Sequence, residues 1–151
     1  MLDRAWIASR IPHQGSMCLL DAVEAWDRET IRCRASSHRA ADNPLRAHDR
    51  LGAACGIEYA AQAMAVHGAL QASPDRPAPR AGFLLSVRGV NMEVSRLDDI
   101  AGDLTVEANC IMSSENNILY QFRISAGDRT LLQGRAAVVT NAEALMPGAP
   151  T

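Results

Sequence analysis

At 151 residues, with 48% hydrophobic and 21% charged side chains, the chain has the size and composition of one globular domain, and no apolar run approaches the ~20 residues of a membrane-spanning helix. A net charge of −2, with only two each of Phe, Tyr and Trp, argues against nucleic-acid binding, which draws on basic patches and aromatic stacking platforms. The 15 basic residues are all arginine, so neither a Schiff base nor a P-loop lysine is available.

In chain order, the first residues carry charges and lack the continuous apolar run of a secretory signal. Residues 3–10 read as a short helix with Leu2, Trp6 and Ile7 as its apolar contacts, ending before Pro12. Residues 17–26 are strand-like. Residues 30–35 alternate Ile31, Cys33 and Ala35 with Arg32 and Arg34, the period-two pattern of a half-buried strand. The two pair as a hairpin across residues 27–29. Residues 36–49, rich in Asp, Asn, Pro and His, read as a loop. Residues 50–72 form the single long helix, followed by a Pro-rich connector over 73–79. Four strand-like segments follow, at 82–94, 104–112, 118–126 and 130–140, separated by turn signals. The folded unit is expected over 1–140, with 141–151 a flexible tail.

Two strands, one long helix and four strands make an α+β chain. One apolar helix cannot bury itself, so a curved antiparallel sheet must wrap it, which is the hotdog arrangement in a single domain. Small residues dominate the helix (Gly52, Ala53, Ala54, Gly56, Ala60, Ala61, Ala63 and Ala65), letting strands come close to its backbone. Cys18, Cys33, Cys55 and Cys110 stand singly, as reduced and mostly buried cysteines of a cytosolic, cytoplasmic protein do. No two His or Cys stand at a zinc-ligand spacing, so no metal site is expected.

Inside the apolar helix sits one acid, Glu58, which must lie at a cleft or have a partner. Its face is shared with Ala54, Cys55, Ala61, Gln62 and Ala65. Apolar walls of this kind are expected to keep Glu58 protonated and to leave room for an extended chain. Gln62, one turn on, either orients the Glu58 carboxyl or satisfies a backbone group. The loop before the helix carries His38, and a loop histidine with a helix acid supplies the base and the acid of a proton-transfer reaction. His48 is the rival base. His13 reads as a structural hydrogen-bonder beside Pro12, and His67, turned to the opposite helix face, as a favourable charge near the helix C-terminus. Gly52 and Ala53 fall near the first turn of the helix, where either N–H could form an oxyanion site. Arg39, Arg46, Arg50, Arg80 and Arg88 make a basic rim suited to an acidic carrier protein, or simply a solvated charged surface.

Three segments carry a resemblance. IPHQGSMCLLDAVEAWD (11–27), GIEYAAQAMAVHG (56–68) and GFLLSVRGVNMEVSRLDDIAGDL (82–104) resemble the opening strand, central-helix signature and third strand of 3-hydroxyacyl-acyl-carrier-protein dehydratases. The resemblance extends over residues 11–140 and is greatest to the dehydratase-like hotdog proteins encoded with aryl-polyene pigment biosynthesis. The loop departs from the family: Ser37 to Pro44 lacks the Gly and Phe-Pro-Gly elements, and His38 lies farther from the acid.

The resemblance implies elimination of water from a (3R)-3-hydroxyacyl thioester held by the phosphopantetheine of an acyl carrier protein, giving a trans-2-enoyl thioester in biosynthesis of the fatty acid or aryl-polyene type. His38, the histidine before Asn43-Pro44, takes the C2 proton; Glu58 gives one to the leaving hydroxyl; Gly52 or Ala53 steadies the thioester oxygen. No cofactor is needed. It further implies a dimer with sites built from both subunits, either a homodimer or a heterodimer with a second dehydratase-like chain, most simply through the strand near 82–94. The alternatives are a hotdog thioesterase, which uses the helix acid to activate water, and a non-catalytic acyl-binding subunit.

Overall fold

The Ala-rich segment forms the one long helix among the described residues, and seven antiparallel strands pack on it as a single sheet. This computed structural model describes residues 1–71, 83–114 and 117–139, so the expected Pro-rich connector and C-terminal tail lie outside the described residues. The chain opens with a two-residue strand β1 (Leu2–Asp3) and helix α1 (Arg4–Arg10). Asp3 caps α1, its Oδ1 accepting from the Trp6 N–H at 2.9 Å, and the helix stops at Ile11 because Pro12 disfavours helical backbone before it.

Strands β2 (Ala22–Trp26) and β3 (Thr30–Ala35) form the expected hairpin. Its turn is held by Asp27, whose Oδ1 accepts from the N–H groups of Glu29 and Thr30, both at 2.8 Å. Residues 17–21, expected as strand, are not in the ladder: Gly15–Met17 is a single 3-10 turn, and the chain after it is pinned by a side chain described below.

The expected helix over 50–72 is shorter, α2 spanning Gly56–Leu70 after a 3-10 turn at Ala53–Cys55. Two causes delay its start. His48 and Asp49 take left-handed backbone, with φ of 53° and 60°. Residues 51–53 then pair with a distant segment: Gly52 bridges Arg96, the Ala53 N–H donates to Ser95 O at 3.0 Å, and the Leu97 N–H donates to Leu51 O at 2.8 Å.

Strands β4 (Phe83–Met92), β5 (Leu104–Ser113), β6 (Asn117–Ala126) and β7 (Arg129–Val139) complete the sheet in the order β1-β2-β3-β5-β6-β7-β4. Tyr59, Ala60, Ala63, Met64 and Val66 of α2 are buried in one core with Val106, Tyr120, Phe122, Ile124 and Leu132 of the sheet. The close approach expected from small residues is visible at Gly56, where a Cβ would stand 2.8 Å from Leu132 Cδ2. This is the hotdog arrangement. The sheet ends in β4, a ten-residue edge strand, bulged between Arg88 and Asn91, where Gly89 has φ of 61°.

Candidate active site

Glu58 lies in the first turn of α2, directly after the 3-10 turn at Ala53–Cys55. Its side chain is 36% exposed, and it is not walled by apolar groups alone. Ala54 is exposed, and Cys55, Ala61 and Ala65 are half-buried. Two polar groups reach the same carboxyl oxygen: His13 Nε2 stands 3.2 Å from Oε1, and Gln62 Nε2 3.5 Å from it. The apolar walls expected around Glu58 are therefore not found in the single chain, since the segment preceding β2 lays polar groups beside it.

Gln62 is fully buried and does mainly the second of the two jobs expected of it. Its amide donates to Met17 O at 2.8 Å and its Oε1 accepts the Leu19 N–H at 2.9 Å, so it pins residues 17–19 to the helix. These are short, well-formed bonds; the 3.5 Å approach to Glu58 is at the limit of one.

His38 sits in a 3-10 turn (Ser37–Arg39) and is 0% exposed. Its Nε2–H donates to Ile100 O at 3.0 Å, because a carbonyl only accepts. Nδ1 is buried and has no hydrogen-bond partner among the described residues. Burial holds the ring's pKa below the usual histidine value, with the nearby Arg39 charge acting in the same direction, so the imidazole is neutral at neutral pH. The turn is fixed from both sides. Asn43 Nδ2 donates to Ser37 O at 2.8 Å and to Tyr59 Oη at 3.1 Å, and Arg39 pairs with Asp103 at 2.7 Å. Asn43 is thus the latch of the histidine loop, closing on the neighbour of Glu58 in α2.

Among the described residues no hydrogen bond or ion pair joins His38 to Glu58; they belong to separate networks on neighbouring faces of α2. His48, the rival base, is exposed on its left-handed turn. His67 departs from expectation. It is 0% exposed, its Nε2–H donates to Asp27 O at 2.9 Å, and its Nδ1 accepts from the Tyr120 O–H at 2.8 Å. Burial lowers its pKa, so it carries no charge to offer the helix dipole. The face opposite Glu58 packs on the sheet and does not meet water.

Of the two candidate oxyanion donors, the Ala53 N–H is spent on Ser95 O, while Gly52 has no acceptor among the described residues. In the proposed basic rim, Arg39 is paired with Asp103, Arg46 Nε donates to Ala40 O at 2.9 Å, Arg50 and Arg88 are exposed, and Arg80 lies outside the described residues. All four cysteines are free. No cluster of three or more potential metal ligands occurs among the described residues, and no helix there is long and apolar enough to cross a membrane. The sequence marks His13 only as a structural hydrogen-bonder beside Pro12; it reaches Glu58 from a segment 45 positions earlier, and its place in the Pro-His element of the opening motif is its one further signal.

The family model of the ApeP-like proteins, described as ApeP dehydratase, matches residues 5–146. Among solved structures, the dehydratase heterocomplex ApeI:P from Xenorhabdus doucetiae is similar, at 22% identity and a TM-score of 0.78, covering 89% of this chain and 90% of that one. A thioesterase family protein from Silicibacter pomeroyi is similar at 13% identity and a TM-score of 0.64, over 89% and 95% of the two chains. The PaaI protein from the phenylacetic acid degradation operon of E. coli is similar at 13% identity and a TM-score of 0.57, over 78% and 80%. No curated protein matches the chain in sequence. Dehydratase and thioesterase neighbours alike share the fold and no more at such identities. The match over residues 5–146 carries the further conclusion: the chain belongs to the ApeP-like dehydratase family.

Proposed function

We propose that this chain eliminates water from (3R)-3-hydroxyacyl thioesters held on an acyl carrier protein, giving trans-2-enoyl thioesters in biosynthesis of the aryl-polyene type. Family membership supports the reaction class. The observation that carries the chemistry is His38: a neutral imidazole gripped through Nε2–H by Ile100 O, its Nδ1 lone pair left without a partner. A buried polar atom without a partner is uncommon and costly, and an unprotonated imidazole nitrogen is what a general base requires. In this reading His38 Nδ1 takes the proton from C2, the electron pair closes the C2–C3 double bond, and the C3–O bond breaks. Glu58 protonates the departing hydroxyl, which leaves as water. The Gly52 N–H meets the charge that gathers on the thioester oxygen.

His38 Nδ1 is covered in the single chain, so the Ser37–Asn43 turn must yield for substrate to reach it. Because one chain holds His38 and Glu58 in separate networks, a site that joins them draws on a second subunit, and the likeness to a two-component dehydratase supports a heterodimer or a homodimer through the β4 edge. The test is product analysis with a 3-hydroxyacyl-carrier thioester, using the chain in the assembly in which it purifies. An enoyl thioester is expected. Glu58→Gln and His38→Ala are each expected to lose ~10²–10⁴-fold in rate, the usual contribution of a general acid or base, with the fold intact by circular dichroism. Free acid as product would establish a thioesterase, and an unturned but bound substrate would establish an acyl-binding subunit.

A further inference from the structure

We propose that His13 is the positioning residue of Glu58: it holds the carboxyl by Oε1 and so presents Oε2 as the oxygen that gives the proton to the leaving hydroxyl. The inference rests on the dehydratase reading above and assigns a role to a residue that reading does not use.

Both donors at the carboxyl converge on one atom. His13 Nε2 is 3.2 Å and Gln62 Nε2 3.5 Å from Oε1, and no hydrogen bond among the described residues reaches Oε2. An oxygen flanked by two nitrogens is the crowded one, so Oε2 is the oxygen left open toward a leaving hydroxyl. The two donors are unequal. Gln62 spends its amide on Met17 O and Leu19 N–H, at 2.8 and 2.9 Å, and comes near Glu58 only as a by-product of that clamp. Among the described residues His13 makes no hydrogen bond, and its polar contact is the 3.2 Å approach of Nε2 to Glu58 Oε1.

The segment bearing His13 is also built to hold still. Gln14 Nε2 donates to Ala8 O at 2.8 Å, Arg4 Nη2 donates to Gly15 O at 2.8 Å, and the Cys18 N–H closes on Gly15 O at 3.1 Å. Gly15 makes this turn at φ of 59°, backbone that side-chain-bearing residues rarely adopt. A ring 27% exposed, 3.2 Å from the helix acid and carried on a segment held at Gln14 and Gly15, is placed to orient that acid.

The experiment compares His13→Ala, His13→Gln and His13→Asn by steady-state kinetics on a 3-hydroxyacyl-carrier thioester, with Glu58→Gln alongside. His13→Ala is expected to lower kcat by ~10–100-fold, the value of a hydrogen bond to a charged group, and to leave KM within about twofold. His13→Gln places an amide N–H where Nε2 stood and is expected to recover most of the loss. His13→Asn places it a bond short, near Nδ1, and is expected to recover little. Equal kcat in His13→Ala and the parent, while Glu58→Gln is inactive, overturns the role of His13 and leaves the dehydratase reading standing. Failure of Glu58→Gln to reduce activity overturns that reading itself. Should His13→Ala not fold, His13→Gln against His13→Asn decides: equal rates for the two overturn the proposal.

Discussion

At the C-terminal end of α2, His67 is sealed in the core with both ring nitrogens engaged, Nε2 on Asp27 O and Nδ1 on the Tyr120 hydroxyl. At the N-terminal end, Glu58 is half-exposed with a vacant oxygen, and the buried Nδ1 atoms of His13 and His38 have no partner. The same residue type is used on one helix in opposite ways. A buried polar network that is complete gives rigidity, whereas one left incomplete costs free energy that packing elsewhere must offset. The contrast separates a histidine whose two ring nitrogens are both bonded from two, His38 and the part-exposed His13, that each keep a buried Nδ1 without a partner among the described residues.

The contrast is broken if the two ends respond alike to substitution. His67→Leu strands the Tyr120 hydroxyl and Asp27 carbonyl in the core and is expected to destabilise by about 2–4 kcal/mol in urea titration. Tyr120→Phe, which removes one bond of the network, is expected to cost about 1–2 kcal/mol. Glu58→Gln, by contrast, is expected to leave stability within about 0.5 kcal/mol, as surface changes usually do. Equal losses at both ends would refute the division.

Acid sharpens the comparison in a second way. His38 and His67 both have folded pKa values lowered by burial, so the native state prefers them neutral while the unfolded chain takes up protons first as pH falls. Their stabilising contribution is complete above the unfolded value of ~6.5 and is lost below it, down to the folded values, by up to about 1.4 kcal/mol per pH unit for each group. Urea midpoints measured across that range are expected to fall with acidification, and His67→Gln is expected to shed one proton's share of the slope. A parent slope of zero would show that neither ring is neutral for the reason given.

The smallest expected effect concerns selectivity. Ala61 and Ala65 are half-buried on the Glu58 side of α2, and a leucine there fills space beside the carboxyl. Ala61→Leu and Ala65→Leu are each expected to lower the ratio of rates for long against short acyl substrates by ~5–10-fold, the low end of the ~1–3 kcal/mol that a methylene is worth in a pocket. An unchanged ratio in a folded variant would place the acyl chain elsewhere.

Much of this architecture was legible because it is local. The capped α1, the alternation of β3, the hairpin at Asp27 and the strands after the connector all follow from pattern and turn chemistry. The misread boundaries have distant causes. The start of α2 is delayed by residues 95–97, which claim the backbone of residues 51–53, and residues 17–19 bond to the side chain of Gln62 where strand pairing was expected. Glu58, an acid in an apolar helix, stood out in the sequence for a physical reason. His13 was read only as a structural hydrogen-bonder, since nothing local connects it to an acid 45 positions away, and His67 was misassigned because its own face of α2 packs on the sheet, where burial leaves the ring neutral.

The Gln62 clamp also sets how protons of the backbone exchange with solvent. The Leu19 N–H belongs to no helix or strand, yet it points into the core at the Oε1 of a fully buried side chain. Deuterium can reach it only when residues 17–19 lift from α2. The exchange rate of that single amide is therefore a clock for the opening of the N-terminal side of the site.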